Sequence, residues 1–194
     1  MMKHLPYEAG IPTRQISAEN PTGEKGGACR WVPDPGDPQL PHCKASLKLG
    51  KGWKVRPFIK LLPHETVLLG EITGPGSIEE FFITTDHRRL SELVLRIYWD
   101  DEEAPSVESP IGAFFAMGHD AHPHAVSSIP VQVCPRQGLN CYWHMPFRNK
   151  AKITLTHEGD REFGLVAYRI LYKLHEVPAD AAYFHAQYRH TVTD

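Results

Sequence analysis

Eight short β-rich runs, separated by turn-forming residues and by no sustained helical period, constrain this chain more than any other feature. They fall at 55–62, 66–72, 78–84, 93–99, 126–134, 140–147, 151–157 and 163–174. Pro-His-Glu, Gly-Pro-Gly, Pro-Arg-Gln-Gly and Glu-Gly-Asp punctuate them, and such residues interrupt ladders and set turns. Runs of this length and spacing predict an all-β fold, a single jelly-roll β-sandwich of about eight antiparallel strands. Along 163–174 the set Val166, Tyr168, Ile170, Tyr172 and Leu174 is the more apolar and is expected to face the core. The segment 180–189 reads as a short turn of helix or another strand.

Residues 1–52 differ in texture. They are rich in Pro, Gly, Asn and Asp, as in WVPDPGDPQLPHCK, and show no period. The expectation is an extended N-terminal arm with loops, packed on the body or on a neighbouring subunit, because a free loop of that length is uncommon. Residues 53–194 are expected to form the single jelly-roll domain.

Composition removes several classes of function. A chain of 194 residues with 41% hydrophobic content can bury one core. A net charge of −2 leaves no basic footprint for nucleic acid or an anionic membrane. No run of 18 apolar residues occurs, and the opening MMKHLPYEAGIP lacks the apolar stretch of a signal peptide. The expectation is a soluble, cytoplasmic protein. Cys29, Cys43, Cys134 and Cys141 make no C-x-x-C pair and read as reduced thiols. Zinc between Cys29 and Cys43 beside His42 would need wider spacing than structural zinc sites use. Phosphate-binding loops and nucleophile elbows are missing from the sequence, and no cofactor is expected.

Three constellations carry candidate chemistry. The run 93–99 leads into Asp100, Asp101, Glu102 and Glu103, and Glu108 follows a Pro-Ser turn. Asp100, Glu103 and Glu108 are the acids from which a retaining glycosidase pair would be drawn, one as nucleophile and one as acid/base. The other reading is a solvated acidic loop. Arg14, Glu19, Asn20 and Thr22 in TRQISAENPTG, with Trp143 and His144 in NCYWHMPF, form a candidate sugar-binding edge. Aromatic faces stack on sugar rings, and Arg, Asn and carboxylates bond hydroxyls. The same residues also read as turn locks and core. Last, His119, Asp120, His122 and His124 in GHDAHPH offer metal ligands. The H-x-H step is reminiscent of cupins, but no Glu follows it and Pro123 interrupts it. A His-rich loop without metal is therefore the expectation, and a cupin-like metal protein the lesser alternative.

The wording of several stretches is more specific. RIYWDDEEAPSVESPIGAFF at 96–115, NCYWHMPFR at 140–148, YFHAQYR at 183–189, ITGPGSI at 72–78 and ISAENPTGEKGG at 16–27 together resemble glycoside hydrolase family 172. That family includes α-D-fructofuranosidases and D-arabinofuranosidases. The resemblance spans about residues 11–190, in the family's order. It implies a jelly roll of the kind that the family carries twice in tandem, associated as trimers so that six barrels surround an axis. This chain resembles the first of the two units. The family's catalytic glutamates look to lie in the second unit, in a Gly-Glu-Gly stretch and a Gly-Thr-Gly-x-Glu-Asp-Tyr stretch, neither of which occurs here. Where the family often has Asp before Phe-Phe, this chain has Ala113. The resemblance thus implies a carbohydrate-active unit that lacks the catalytic glutamates by itself. The alternative is a non-catalytic, self-assembling structural or sugar-binding protein. The expected partners are further copies of the chain, as a homotrimer or homohexamer, and a furanoside-containing carbohydrate.

Overall fold

Alternation along 163–174 resolves into two faces: Val166, Tyr168, Ile170 and Tyr172 are buried, and Leu174 packs at the core's margin. The structure is a computed structural model that describes residues 10–30, 36, 49, 52–54, 56–118, 124–134 and 138–191. In chain order the strands are β1 (Thr13–Ser17), β2 (Ile59–Leu61), β3 (Thr66–Thr73), β4 (Gly76–Thr84), β5 (Leu93–Trp99) and β6 (Val107–Pro110). After a single helical turn, α1 (Ile111–Phe114), come β7 (Val126–Ser127), β8 (Val131–Cys134), β9 (Gly138–Cys141), β10 (Met145–Phe147), β11 (Lys150–His157), β12 (Phe163–Leu174) and β13 (Ala186–Gln187). Among the described residues no helix is long and apolar enough to cross a membrane.

Two sheets form an all-β sandwich. The larger runs β1-β12-β4-β9-β8-β7, with β10 also on β4 and β2 on β12. The smaller runs β13-β6-β5-β11-β3 and is antiparallel except where β13 lies parallel to β6. Each sheet sends one face inward, as period-two strands must. The shared core holds Phe81, Ile170 and Phe147 from the larger sheet with Leu95, Ile97, Trp99 and Leu155 from the smaller. The Trp99 and Phe147 rings stack across it, 6.4 Å between centroids.

Close backbone approach explains two glycines. A Cβ on Gly76 would run into the Lys173 carbonyl oxygen, so β4 and β12 meet there only because glycine has no side chain. A Cβ on Gly70 would lie 2.9 Å from the Ile16 side chain. Ile16 of β1 is fully buried against that position on β3 and joins the two sheets at their edge.

Strands 93–99 and 163–174 have the bounds that the sequence predicts. The run 126–134 is two strands, because Ser128 caps a turn by donating to the Val131 carbonyl at 2.8 Å. The run 140–147 also divides, leaving 142–144 outside the ladder. Within the stretch read as loops, Thr13–Ser17 pairs with β12 from Lys173 to Arg169. The segment 180–189 contributes the two-residue β13.

Candidate functional site

Period two places the one charged residue of β5 (Leu93–Trp99) on the outer face of the smaller sheet. Leu93, Leu95, Ile97 and Trp99 of β5 are buried in the core, so Val94, Arg96 and Tyr98 point outward. Antiparallel register sets Arg96 opposite Glu108 of β6 on one side and opposite Thr154 of β11 on the other. The guanidinium uses that position fully. Its Nε donates to Glu108 Oε1 at 2.7 Å, and Nη1 donates to Thr156 Oγ1 at 2.8 Å. Nη2 lies 3.7 Å from Glu158 Oε1, just beyond the end of β11. Two carboxylates thus share one arginine.

Two further chain segments complete the lining around this group. Beyond β6, the single turn α1 buries Ile111 and sets Phe114 edge-on to Phe115 at 5.1 Å. That anchorage brings Ala113 and Met117 to one rim. The C-terminal segment is tied down by four residues. Trp99 Nε1 donates to the Phe184 carbonyl at 2.8 Å, and the Ala186 and Tyr188 amides donate to the Ser106 and Glu108 carbonyls at 3.2 and 3.0 Å. One Arg148 nitrogen reaches the carbonyls of Pro178, Ala179 and Ala181 at 3.2, 2.9 and 2.8 Å. These ties bring Tyr188 and His190 into the lining of the same cleft. The cleft has a volume of about 690 Å³, within the range of small-ligand sites. The Glu108 and Glu158 side chains are 47% and 54% exposed, against 22% for Arg96, so a solute would meet the acids first.

Of the three acids considered as catalytic, Glu108 alone lines the cleft. Asp100 is a corner lock. Asp100 and Asp101 both have positive φ, 51° and 65°, in a turn that the Glu102 amide closes onto the Trp99 carbonyl at 3.0 Å. Asp100 Oδ1 accepts the amides of Arg148, Asn149 and Lys150 at 3.1, 2.7 and 3.0 Å, and Oδ2 accepts the Tyr183 hydroxyl. Burial opposes its charge, yet the bonds from Tyr183 and these three amides hold its carboxyl below the usual range. Glu103 is exposed on the loop between β5 and β6.

The candidate sugar-binding residues lie outside the cleft's lining. Arg14 is exposed on β1, and Thr22 is exposed on the turn that follows. Glu19 is buried and accepts the Arg56 amide at 2.6 Å through Oε2. Asn20 donates to the Gln15 and Glu24 carbonyls at 3.1 and 3.0 Å, which locks its own turn. Trp143 is 40% exposed and packs on Phe184, 5.6 Å between centroids. It therefore touches the segment that forms the cleft wall. His144 Nδ1 is 3.2 Å from Glu79 Oε1. Glu79 sits where β4 slips register: the partners jump from Glu80 to Ile78 against β12. Burial works against its charge, and His144 and Ser77 bonds outweigh it to keep the carboxyl below the usual range.

His124 is exposed, and His119, Asp120 and His122 lie outside the described residues, as does Cys43. Among the described residues no group of three His, Cys, Asp or Glu could hold a metal ion. A second hollow, of about 510 Å³, lies beside Arg88, Arg89 and Arg161. Two of its cations serve the fold: Arg88 Nε donates to Asp86 at 3.0 Å, and Arg89 Nε donates to Glu92 at 2.8 Å while its other nitrogens reach the Arg161 and Glu162 carbonyls.

Sequence reasoning passed over Arg96 and Glu158. The signal for Arg96 was one charged residue among apolar ones in LVLRIYW. Glu158 had no comparable signal, because its place depends on the β11–β5 register. A sequence model described as GH172 domain-like matches residues 55–168. The match includes Arg96, Glu108, Ala113 and Glu158 and stops short of Tyr188 and His190. No curated protein matches the chain. With more than half its length matched, and with a β-sandwich whose central strands fall inside the match, the chain belongs to the GH172 domain-like family.

Proposed function

We propose that this chain is a carbohydrate-active unit that binds a furanoside-type sugar in the Glu108 cleft without hydrolysing it. The observation that carries the reading is the sharing of Arg96 by Glu108 and Glu158 in a 690 Å³ cleft, inside the part of the chain that matches the family. Carboxylates fixed by a guanidinium are preset acceptors for sugar hydroxyls, and Tyr188 at the rim offers an exposed ring for the apolar face of the sugar.

Hydrolysis is a different requirement. A retaining pair must flank the anomeric carbon with roughly 5–5.5 Å between the carboxyls. Here the guanidinium of Arg96 occupies the place between the two acids. This supports binding over turnover and agrees with a catalytic function carried by another unit. The test is calorimetric titration with methyl α-D-arabinofuranoside and methyl α-D-fructofuranoside, paired with a chromogenic furanoside assay. Binding that Glu108→Gln abolishes, with no turnover, supports the reading. Turnover by the chain alone contradicts it.

Self-association as a homotrimer or homohexamer is the second part of the reading. Ile129, Tyr142 and Trp143 are exposed by 85, 44 and 40%, and the Tyr142 amide bonds the Pro130 carbonyl at 2.7 Å, which gathers them at one end of the larger sheet. An apolar group of that kind marks contact surfaces. Light scattering across a concentration series reads it directly, and a monomer at every concentration removes it.

A further inference from the structure

The charged groups that line the cleft are Arg96, Glu108 and Glu158, with Tyr188 and His190 as the further titratable side chains. Their arrangement leaves the positive charge spent and the negative charge available. Arg96 Nε is bound to Glu108, Nη1 to Thr156, and Nη2 faces Glu158. Among the described residues, Glu108 and Glu158 each keep one oxygen with no ion-pair or hydrogen-bond partner. The remaining polar groups at the rim are neutral hydroxyls, those of Ser91, Ser109 and Tyr188, and Ser109 already donates to the Pro110 carbonyl at 3.1 Å. Two carboxylates against one guanidinium give these three side chains a net charge of −1. To a solute the cleft therefore presents acceptors and a negative field.

We infer that the cleft ranks saccharides by charge, taking amino sugars in preference to neutral ones and rejecting phosphorylated or uronate forms. This rests on the reading of the cleft as a saccharide site. An ammonium group on the ligand donates to the free oxygens of Glu108 and Glu158 as a charge-assisted bond. A phosphate or carboxylate meets two like charges and finds no free guanidinium donor. Hydroxyl groups lie between, since they donate without a net charge. One unit charge at about 6 Å in a half-solvated site changes affinity by about tenfold, and salt weakens the effect because the cleft is open.

The experiment uses the full chain and three matched ligands: methyl α-D-arabinofuranoside, its 5-amino-5-deoxy derivative and its 5-phosphate. Dissociation constants are measured by calorimetry at low salt and again at about 0.5 M salt. The expected order is amino tightest by about tenfold, neutral next, phosphate weaker by about tenfold or more, with the spread narrowing in salt. The Glu158 side chain is exposed just beyond β11, and Glu158→Gln is expected to weaken the amino ligand more than the neutral one, so that the ratio of their affinities falls. Equal affinity for all three ligands, or tighter binding of the phosphate, overturns the charge ranking and leaves the saccharide site standing. Failure of all three to bind overturns the site itself. Preference for the amino ligand that Glu158→Gln leaves unchanged places the discrimination elsewhere and also overturns the inference.

Discussion

Arg96 Nε donates to Glu108 Oε1 at 2.7 Å across the β5–β6 ladder, on the face turned away from the core. The bond is half-exposed, so it adds little to folding: pairs of this kind contribute about 0–1 kcal/mol. Its consequence is positional. Arg96→Met is expected to lower stability by no more than about 1 kcal/mol while it frees both acids and weakens sugar binding at least tenfold. Denaturant unfolding and calorimetry on the same variant separate the two effects. A large loss of stability would make the pair a fold element.

Ala113 stands on the rim of the same cleft. The side chain is half-buried, with solvent on the cleft side. Ala113→Asp is expected to keep the fold, within about 1 kcal/mol, and to add a third carboxylate to the cleft. Binding of the neutral furanoside should change, and the thermal midpoint should move by only a few degrees. An unfolded variant would show that the position has no room for a carboxylate.

The C-terminal wall depends on Arg148, which holds three carbonyls and lies 4.8 Å over the Tyr183 ring. Arg148→Ala is expected to cost about 1–3 kcal/mol and to loosen the wall beyond it. Hydrogen exchange should accelerate at the Ala186 and Tyr188 amides, which bond Ser106 and Glu108. Unchanged exchange at these two amides would mean that the wall is held by β13 and Trp99 alone.

Acid should unfold the protein in two stages. Burial depresses His87, with Asp86 as a partial offset, and neither ring nitrogen has a partner among the described residues. A histidine held neutral in the folded state stabilises fully above its unfolded value of 6.5 and loses that contribution as pH falls below it. The carboxylates come next. Arg89 lowers Glu92 and Arg88 lowers Asp86, while Asp100 and Glu79 are lowered by their hydrogen bonds despite burial. With ordinary values of 4.5 for glutamate and 3.8 for aspartate, their stabilisation is complete above about pH 4.5. It is lost as pH falls through the lower folded-state values. Urea midpoints measured from pH 8 to 3 check both stages. His87→Leu should remove the first, and Asp100→Asn should reduce the second.

The sequence carried the interior of the fold better than its edges. β5 and β12 were legible because their own residues alternate and both lie inside a sheet. β1 was hidden, since its burial runs from exposed to buried and its partner β12 lies some 150 residues away. β6 was hidden as well, because Pro110 and the preceding Pro-Ser turn read as loop. The site shows the same division. Glu108 stood out as an acid after a turn, but its pairing with Arg96 is a register relation, and register depends on how the whole sheet assembles. Asp100 stood out as an acid at a strand end and proved to be an acceptor for backbone amides. No local pattern separates an acid that meets solvent from one that closes a corner.

The measurement that bears most directly on the account is a ¹⁵N-resolved NMR titration of the full chain with methyl α-D-arabinofuranoside, including the arginine side-chain Nε–H signals. The account predicts shifts at Arg96 Nε–H and at the amides of Glu108, Tyr188 and His190, all lost in Glu108→Gln. Shifts gathered instead at Asn20 or Trp143, or none at millimolar sugar, would contradict it.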